Sequence, residues 1–289
     1  MDLLTLLSTN PPFFGGLLFV LGLVFGSFLN VVIHRLPKMI ETEFRHDCAC
    51  LDLPIDAAVP DKPKYNLVVP RSACPHCGHQ ISALENIPVI SYLALRGRCR
   101  GCGAKISIRY PLVELLTGIL TLWVGMSFGP TWAGAGGITL SWVLIALVFI
   151  DADTYLLPDN LTFPLLWLGL LFNLAGGFVP LPQAVIGAVA GYLLLWSVYW
   201  LFKLITGKEG MGYGDFKLLA ALGAWFGWTA LPVIVLLSSL AGAVVGIGLV
   251  IAARRGFSKP MPFGPYLGIA GWLYLMFGTT LQHALFGML

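Results

Sequence analysis

The sequence predicts an all-α polytopic membrane protein with about eight transmembrane helices. Its composition indicates this class, because 57% of the 289 residues are hydrophobic and only 11% are charged. A soluble domain would carry about 25% charged residues. The apolar residues also fall into runs of roughly 20, the length that a bilayer core requires. The net charge of +3 is too small to indicate a nucleic-acid partner.

Eight apolar runs are the predicted spans. The first has no upstream basic residue and no small-residue cleavage site, so we expect a retained helix rather than a removed signal peptide. The sixth and seventh form one tract, which we divide near Pro232 because proline interrupts a helix. The predicted spans are residues 13–33, 111–128, 132–150, 160–178, 184–204, 214–229, 231–253 and 264–283.

The basic residues predict the orientation of these spans, because cytoplasmic loops carry an excess of Lys and Arg. Eleven of the 17 lie between Arg35 and Arg109. With both termini periplasmic and eight crossings, every basic residue falls on the cytoplasmic side, whereas seven or nine spans would break the pattern. The remaining six are Lys203, Lys208, Lys217, Arg254, Arg255 and Lys259. The predicted cytoplasmic segments are 35–110, 151–159, 205–213 and 254–263.

Two cysteine pairs lie in the one sizeable predicted soluble segment, residues 35–110. Cys74-Pro75-His76-Cys77 and Cys99-Arg100-Gly101-Cys102 are separated by 21 residues. Each pair can supply two thiolates to one tetrahedral zinc ion. Disulfides and a redox motif are the alternatives, and a reducing compartment argues against stable disulfides. We therefore predict a structural zinc that folds a segment too small to build its own core.

The other possible ligands in this segment are less suited to zinc. Cys48 and Cys50 have the wrong spacing for a knuckle, and we expect free thiols there. His76 and His79 are alternative ligands in principle. With four cysteines available, the predicted ligands are Cys74, Cys77, Cys99 and Cys102.

Four aspartates are candidates for catalysis. Carboxylates at a membrane boundary are costly to bury and therefore suggest function. The alternative is that all four are solvated loop residues or helix caps. The eight-span topology places Asp151 and Asp215 at similar depth near the cytoplasmic face, and Gly212 and Gly214 allow a close backbone approach before Asp215. Two convergent carboxyls could share one proton, as in an aspartic protease. The four candidates are Asp151, Asp153, Asp159 and Asp215.

Short motifs lie along nearly the whole chain. The early ones are Gly26-Ser27-Phe28-Leu29-Asn30-Val31-Val32, His34-Arg35-Leu36-Pro37, the two cysteine knuckles, Glu85-Asn86-Ile87-Pro88 and Arg109-Tyr110-Pro111-Leu112-Val113-Glu114. The later ones are Ile150-Asp151-Ala152-Asp153, Leu156-Leu157-Pro158-Asp159, Gly210-Met211-Gly212-Tyr213-Gly214-Asp215-Phe216-Lys217 and Pro262-Phe263-Gly264-Pro265. Together they resemble the motifs of the bacterial type IV prepilin peptidases, a family of GxGD-type intramembrane aspartic proteases.

The resemblance implies two activities in the bacterial inner membrane. One cleaves the basic leader of a type IV prepilin or pseudopilin after a glycine, on the cytoplasmic side. The other methylates the new N-terminal amine with S-adenosylmethionine. The implied catalytic pair is Asp151 and Asp215, and Gly97 and Arg98 match a segment linked to methylation and its cofactor. The expected partners are these substrates and the lipid bilayer, with no nucleic acid.

The expected organisation and chemistry follow from these assignments. Residues 1–34 form the first transmembrane helix, residues 35–110 the cytoplasmic zinc-binding segment, and residues 111–289 a seven-helix membrane aspartic protease domain. One carboxylate takes a proton from water while the other donates one to the scissile carbonyl.

Two alternative functions come from other classes. A secondary ion-coupled transporter would also use intramembrane carboxylates, although no matching pair of broken segments is visible in two halves of the chain. A non-enzymatic membrane scaffold could use the zinc ribbon to bind a partner, but it leaves the aspartates unexplained.

Overall fold

The structure is a computed structural model that describes residues 7, 9–51, 65–253 and 261–287. Eight long helices dominate this part of the chain, and its β structure is limited to two isolated bridges. We number the long helices α1 Pro11–Leu51, α2 Arg109–Phe128, α3 Trp132–Thr154, α4 Asp159–Leu174, α5 Leu181–Thr206, α6 Tyr213–Phe226, α7 Leu231–Ala253 and α8 Gly264–Phe286.

Each predicted span coincides with one of these helices, which confirms the all-α polytopic fold. Five are long and apolar enough to cross a membrane: α1, α2, α3, α5 and the segment Trp228–Leu249 that contains most of α7. By contrast, α4 and α6 have 16 and 14 residues. That is shorter than the roughly 20 residues of a full crossing.

Several residues used to predict the orientation lie outside the described part of the chain. They are Lys62, Lys64, Arg254, Arg255 and Lys259. The positions of the two termini relative to the membrane therefore stay a prediction.

The first helix extends well beyond its apolar run. It continues through Pro37 to Leu51, so Cys48 and Cys50 lie on helix α1. Arg35 is buried, and its Nη1 donates a hydrogen bond to the Asn66 carbonyl oxygen at 3.0 Å. Its guanidinium also lies over the Tyr65 ring, 5.8 Å from the centroid. These contacts hold residues 65–66 against the helix.

The chain divides into two compact units, Met1–Trp123 and Val124–Leu289. In the first unit, α1 and α2 approach closely through small residues. A Cβ on Gly22 would lie 2.7 Å from the Cα of Gly118, and one on Gly26 would lie 2.7 Å from the Cα of Glu114. Glycines four residues apart let two membrane helices pack backbone against backbone. The predicted functional division at residues 34 and 110 stays a prediction.

In the second unit, α6 is the central helix, and α4, α5 and α8 pack around it. Asp215, Phe216 and residues 218–226 are all buried. Helix α5 comes closest, because a Cβ on its Gly187 would lie only 2.3 Å from the carbonyl oxygen of Gly223. A helix enclosed by protein does not need the full length of a bilayer. Burial in α6 begins at Asp215, in its first turn.

Hydrogen bonds fix the neighbours of α6. Trp225 is fully buried, and its Nε1 donates to the Leu165 carbonyl oxygen of α4 at 2.9 Å. Asn173 of α4 donates from Nδ2 to the carbonyl oxygen of Ala224 at 2.7 Å. Because no water competes in such an interior, buried polar groups need partners of this kind. Both hydrogen bonds and apolar packing therefore hold α4 against α6.

Helix α8 packs along α3. The Nε1 of Trp272 donates to the hydroxyl oxygen of Ser141 at 3.1 Å. Further along, a Cβ on Gly268 would lie 2.5 Å from a methyl group of Val148. This close approach brings the first turn of α8 to the last turn of α3, where Asp151 lies.

Candidate active site and candidate metal centre

Asp151 lies in the last turn of α3 and is almost completely buried. Only 4% of the surface of this residue is exposed. The helix ends at Thr154, and the next residue, Tyr155, has a left-handed backbone (φ 57°) and donates its N–H to the Asp151 carbonyl oxygen. The backbone N–H of Gly264 lies against the Asp151 carboxyl. Among the described residues, Asp151 Oδ2 is the one buried side-chain oxygen or nitrogen without a hydrogen-bond partner.

Asp215 lies in the first turn of α6 and is 7% exposed. Its backbone N–H donates to the carbonyl oxygen of the N-cap residue Gly212 at 3.2 Å. The backbone N–H of Gly212 lies near the Asp215 carboxyl. A carboxylate at this position is favoured by the positive end of the helix dipole. Helix α6 therefore begins directly after Gly212, and its first turn carries the Asp215 carboxyl.

The structure brings these two carboxyls together. Leu157 lies between them, because its side chain contacts both Gly214, which precedes Asp215, and Gly264, where an added Cβ would lie 2.6 Å from Asp151 Oδ2. The two carboxyls come from the C-terminal end of α3 and the N-terminal end of α6, as the topology predicts. Because both are buried, two negative charges would repel strongly in this low dielectric. One proton shared by the pair removes that repulsion.

The other two candidate aspartates have different surroundings. Asp153 is exposed. Asp159 forms an ion pair with Lys217 of α6, with 2.6 Å between Oδ1 and Nζ. The sequence gives no sign of this partner, which is 58 positions away. The structure therefore distinguishes Asp151 and Asp215, which are buried, from Asp153 and Asp159, which are exposed. Asp159 differs further in its ion pair with Lys217.

Gly264 is a site residue whose role the sequence does not reveal. A Cβ at this position would lie 2.6 Å from Asp151 Oδ2 and 3.0 Å from Cδ1 of Leu157. The motif Pro262-Phe263-Gly264-Pro265 was the available signal, but nothing in the motif indicates what the glycine contacts. The absence of a side chain lets the start of α8 close over the Asp151 carboxyl.

The four predicted cysteines form one cluster. Their sulfur atoms all lie within 4.8 Å of one another. The Sγ atoms of Cys74 and Cys102 are 3.8 Å apart, and those of Cys77 and Cys99 are 3.9 Å apart. In a tetrahedral site with Zn–S bonds of about 2.3 Å, neighbouring sulfurs lie roughly 3.8 Å apart. The separations are too long for disulfides and fit the edges of such a site.

The two knuckles have the same backbone turn. In the first, Gly78 has φ 71° and its N–H donates to the Cys74 carbonyl oxygen at 2.9 Å. In the second, Gly103 has φ 72° and donates to the Cys99 carbonyl oxygen at 2.9 Å. His79 is engaged elsewhere, because its Nε2 lies 3.2 Å from Oε2 of Glu85. The four cysteines, rather than the histidines, therefore form the candidate metal centre.

Gly97 and Arg98 lie at the base of the second knuckle. Gly97 is buried, has φ 66°, and donates its N–H to the Tyr92 carbonyl oxygen at 2.8 Å. A Cβ on Gly97 would lie 2.8 Å from the Tyr92 hydroxyl oxygen. Arg98 is exposed, and its backbone forms an isolated antiparallel β-bridge with that of Lys105. The backbone here thus depends on both a glycine and the adjoining knuckle.

Comparison with known proteins covers almost the whole chain. The bacterial peptidase A24 N-terminal domain matches residues 20–128, and the type IV leader peptidase family matches residues 138–247. An Aeromonas hydrophila protein named prepilin leader peptidase/N-methyltransferase is 62% identical over 281 residues, 97% of each chain. A Pseudomonas aeruginosa protein of the same name is 53% identical over 284 residues, 98% of this chain and 97% of its own. No solved structure matches significantly.

Proposed function

The chain belongs to the type IV leader peptidase family, and from this we propose that it is a prepilin peptidase and N-methyltransferase. It removes the leader peptide of type IV prepilins and pseudopilins and methylates the new N-terminal residue. Identity of 53% to 62% over 97% or more of the chain to proteins with this name supports both activities. The observation that carries the peptidase assignment is the convergence of two buried aspartates from the ends of α3 and α6.

The aspartate pair supplies the groups that hydrolysis of a peptide bond needs. One carboxylate accepts a proton from water, and the water oxygen attacks the scissile carbonyl carbon. The other carboxyl donates a proton to the carbonyl oxygen, and a proton then passes to the leaving nitrogen. Oδ2 of Asp151 has no hydrogen-bond partner among the described residues, and a water or the scissile carbonyl would supply one.

The position of the pair suits a substrate that is itself anchored in the membrane. Both aspartates lie at helix ends that the topology places near the cytoplasmic face. An apolar substrate helix can remain in the bilayer while its basic leader lies in the cytoplasm. The five helices able to cross a membrane support a location in the inner membrane. In the proposed orientation both termini are periplasmic.

The cysteine cluster supports a structural zinc ion. Bound to Cys74, Cys77, Cys99 and Cys102, zinc would supply four metal–sulfur bonds that fix the two knuckles relative to each other. Four protein ligands leave no open position on the metal for a substrate. The ion thus stabilises the segment that carries Gly97 and Arg98.

Methylation requires a bound methyl donor, and S-adenosylmethionine supplies the methyl group. Gly97 and Arg98 are the proposed contacts for it. The buried, left-handed backbone at Gly97 and the exposed cationic side chain of Arg98 support this role. S-adenosylmethionine also carries a carboxylate, which an arginine can bind.

The test is incubation of the purified, detergent-solubilised protein with a prepilin and S-adenosylmethionine, followed by mass spectrometry of the mature N-terminus. The expected product lacks its leader and carries one methyl group on its new N-terminal amine. An intact prepilin would contradict the peptidase assignment, and a cleaved but unmethylated product would contradict the second activity. Ion flux through proteoliposomes without cleavage would instead support a transporter.

A further inference from the structure

The side chain of Leu157 lies between two glycines that are far away in the sequence. Leu157 follows α3 and is 8% exposed. A Cβ on Gly214 would lie 2.7 Å from the Cβ of Leu157, and one on Gly264 would lie 3.0 Å from its Cδ1. The inner part of the leucine side chain therefore contacts the first turn of α6. One of its methyl groups contacts the first turn of α8.

Each of these glycines adjoins one carboxyl of the pair. Gly214 is bonded directly to Asp215. Gly264 lies against Asp151, since a Cβ there would be 2.6 Å from Asp151 Oδ2. The leucine thus contacts the backbone next to both aspartates. Its side chain therefore lies between the first turn of α6 and the start of α8.

Leu157 is itself held firmly in place. On one side, the N–H of Tyr155 donates to the Asp151 carbonyl oxygen at 2.9 Å. On the other side, Pro158 (φ −62°) is the N-cap of α4. The next residue, Asp159, forms the ion pair with Lys217 of α6. The short connection from Asp151 to Asp159 is therefore fixed to both catalytic helices.

We propose that Leu157 is a positioning residue, a spacer whose side chain sets the separation of the Asp151 and Asp215 carboxyls. This inference rests on the proposed catalytic roles of the two aspartates. Leucine suits this role because its Cβ and one δ-methyl reach the two glycines at the same time. A shorter side chain would leave a cavity into which the first turn of α6 or of α8 can move.

The first experiment measures the steady-state kinetics of prepilin cleavage. A misplacement of about 1 Å at a reacting centre costs about 10²-fold in rate. We expect Leu157→Ala to lower kcat by about that factor while KM changes less than about threefold. Leu157→Met, which keeps the side-chain volume, should retain most activity. Leu156→Ala, a truncation at the half-buried neighbour, is the matched control and should stay close to wild type.

The second readout is the pH profile of kcat/KM, which a purely structural role would not alter. The interaction between two carboxyls depends on their separation, so Leu157→Ala should move at least one limb of the profile. Thermal unfolding of each purified variant, followed by the fluorescence of tryptophans such as the buried Trp225, reports whether the unit that carries Leu157 is folded. A folded Leu157→Ala protein that cleaves at the wild-type rate and keeps the wild-type profile would overturn the proposal.

The third test exchanges side-chain size between positions 157 and 214. Gly214→Ala places a methyl group 2.7 Å from the Leu157 Cβ and should abolish cleavage. Leu157→Gly removes that atom, so Gly214→Ala should cost much less in the Leu157→Gly background. Equal costs in both backgrounds would contradict the spacer role. Cleavage by Asp151→Asn or Asp215→Asn, run in parallel, would instead contradict the proposed function.

Discussion

Adding one methyl group at Gly264 tests how closely the start of α8 must fit against Asp151. The new Cβ would lie 2.6 Å from Asp151 Oδ2, and an ordinary contact begins at 3.4 Å, so the carboxyl or the helix must move by about 0.8 Å. Neither movement is easy, because Asp151 is buried and α8 is packed along α3. A shift of this size at a catalytic group costs about 10²-fold in rate, or about 2.7 kcal/mol.

We therefore expect Gly264→Ala to lower the rate of prepilin cleavage by about 10²-fold. Methylation of an already cleaved substrate should change little, because the proposed methylation residues lie in the other compact unit. The assay measures both rates on one purified preparation. Gly248→Ala in α7 is the matched control, since a Cβ there meets nothing within 4 Å. Normal cleavage by a folded Gly264→Ala protein would refute this account of the site.

Two further predictions concern the first compact unit. Gly97→Ser should cut methylation more than cleavage, because it strains a left-handed backbone and places a side chain against Tyr92; equal losses of both rates would show that the two sites are coupled or that the segment has unfolded. Elemental analysis should find about one zinc per chain. The ion should be lost in a Cys99→Ser, Cys102→Ser double variant and kept in a Cys48→Ser, Cys50→Ser one, and full zinc content in the first variant would contradict the assigned ligands.

The helices and the cysteine cluster could be predicted because their signals are local in the sequence. Runs of apolar residues predicted the positions of all eight long helices in the described part of the chain. The division before Pro232 was correct, since α6 ends at Phe226 and α7 begins at Leu231. The spacing of the cysteines identified the cluster, because a CxxC turn determines its own geometry. The extension of α1 to Leu51 was not predicted, since an apolar run does not mark the end of a polar helix.

The arrangement around the aspartates could only be seen in three dimensions. The predicted topology put Asp151 and Asp215 at similar depth, but it did not show what packs around and between them. The ion pair of Asp159 with Lys217 and the contact of Leu157 with two glycines join residues that are distant in the chain. Such contacts depend on how α4, α6 and α8 pack, which no single motif encodes. The sequence thus identifies the chemical groups, and the packing shows what holds them.

The central claim is that one buried pair of aspartates cleaves the leader peptide. The most direct measurement is mass spectrometry of prepilin after incubation with each of four variants, Asp151→Asn, Asp215→Asn, Asp153→Asn and Asp159→Asn. The first two should leave the prepilin intact although the proteins still insert into the membrane. The exposed Asp153 and the ion-paired Asp159 should be far more tolerant of the change. Cleavage by Asp151→Asn together with inactivity of Asp153→Asn would contradict the assignment of the pair.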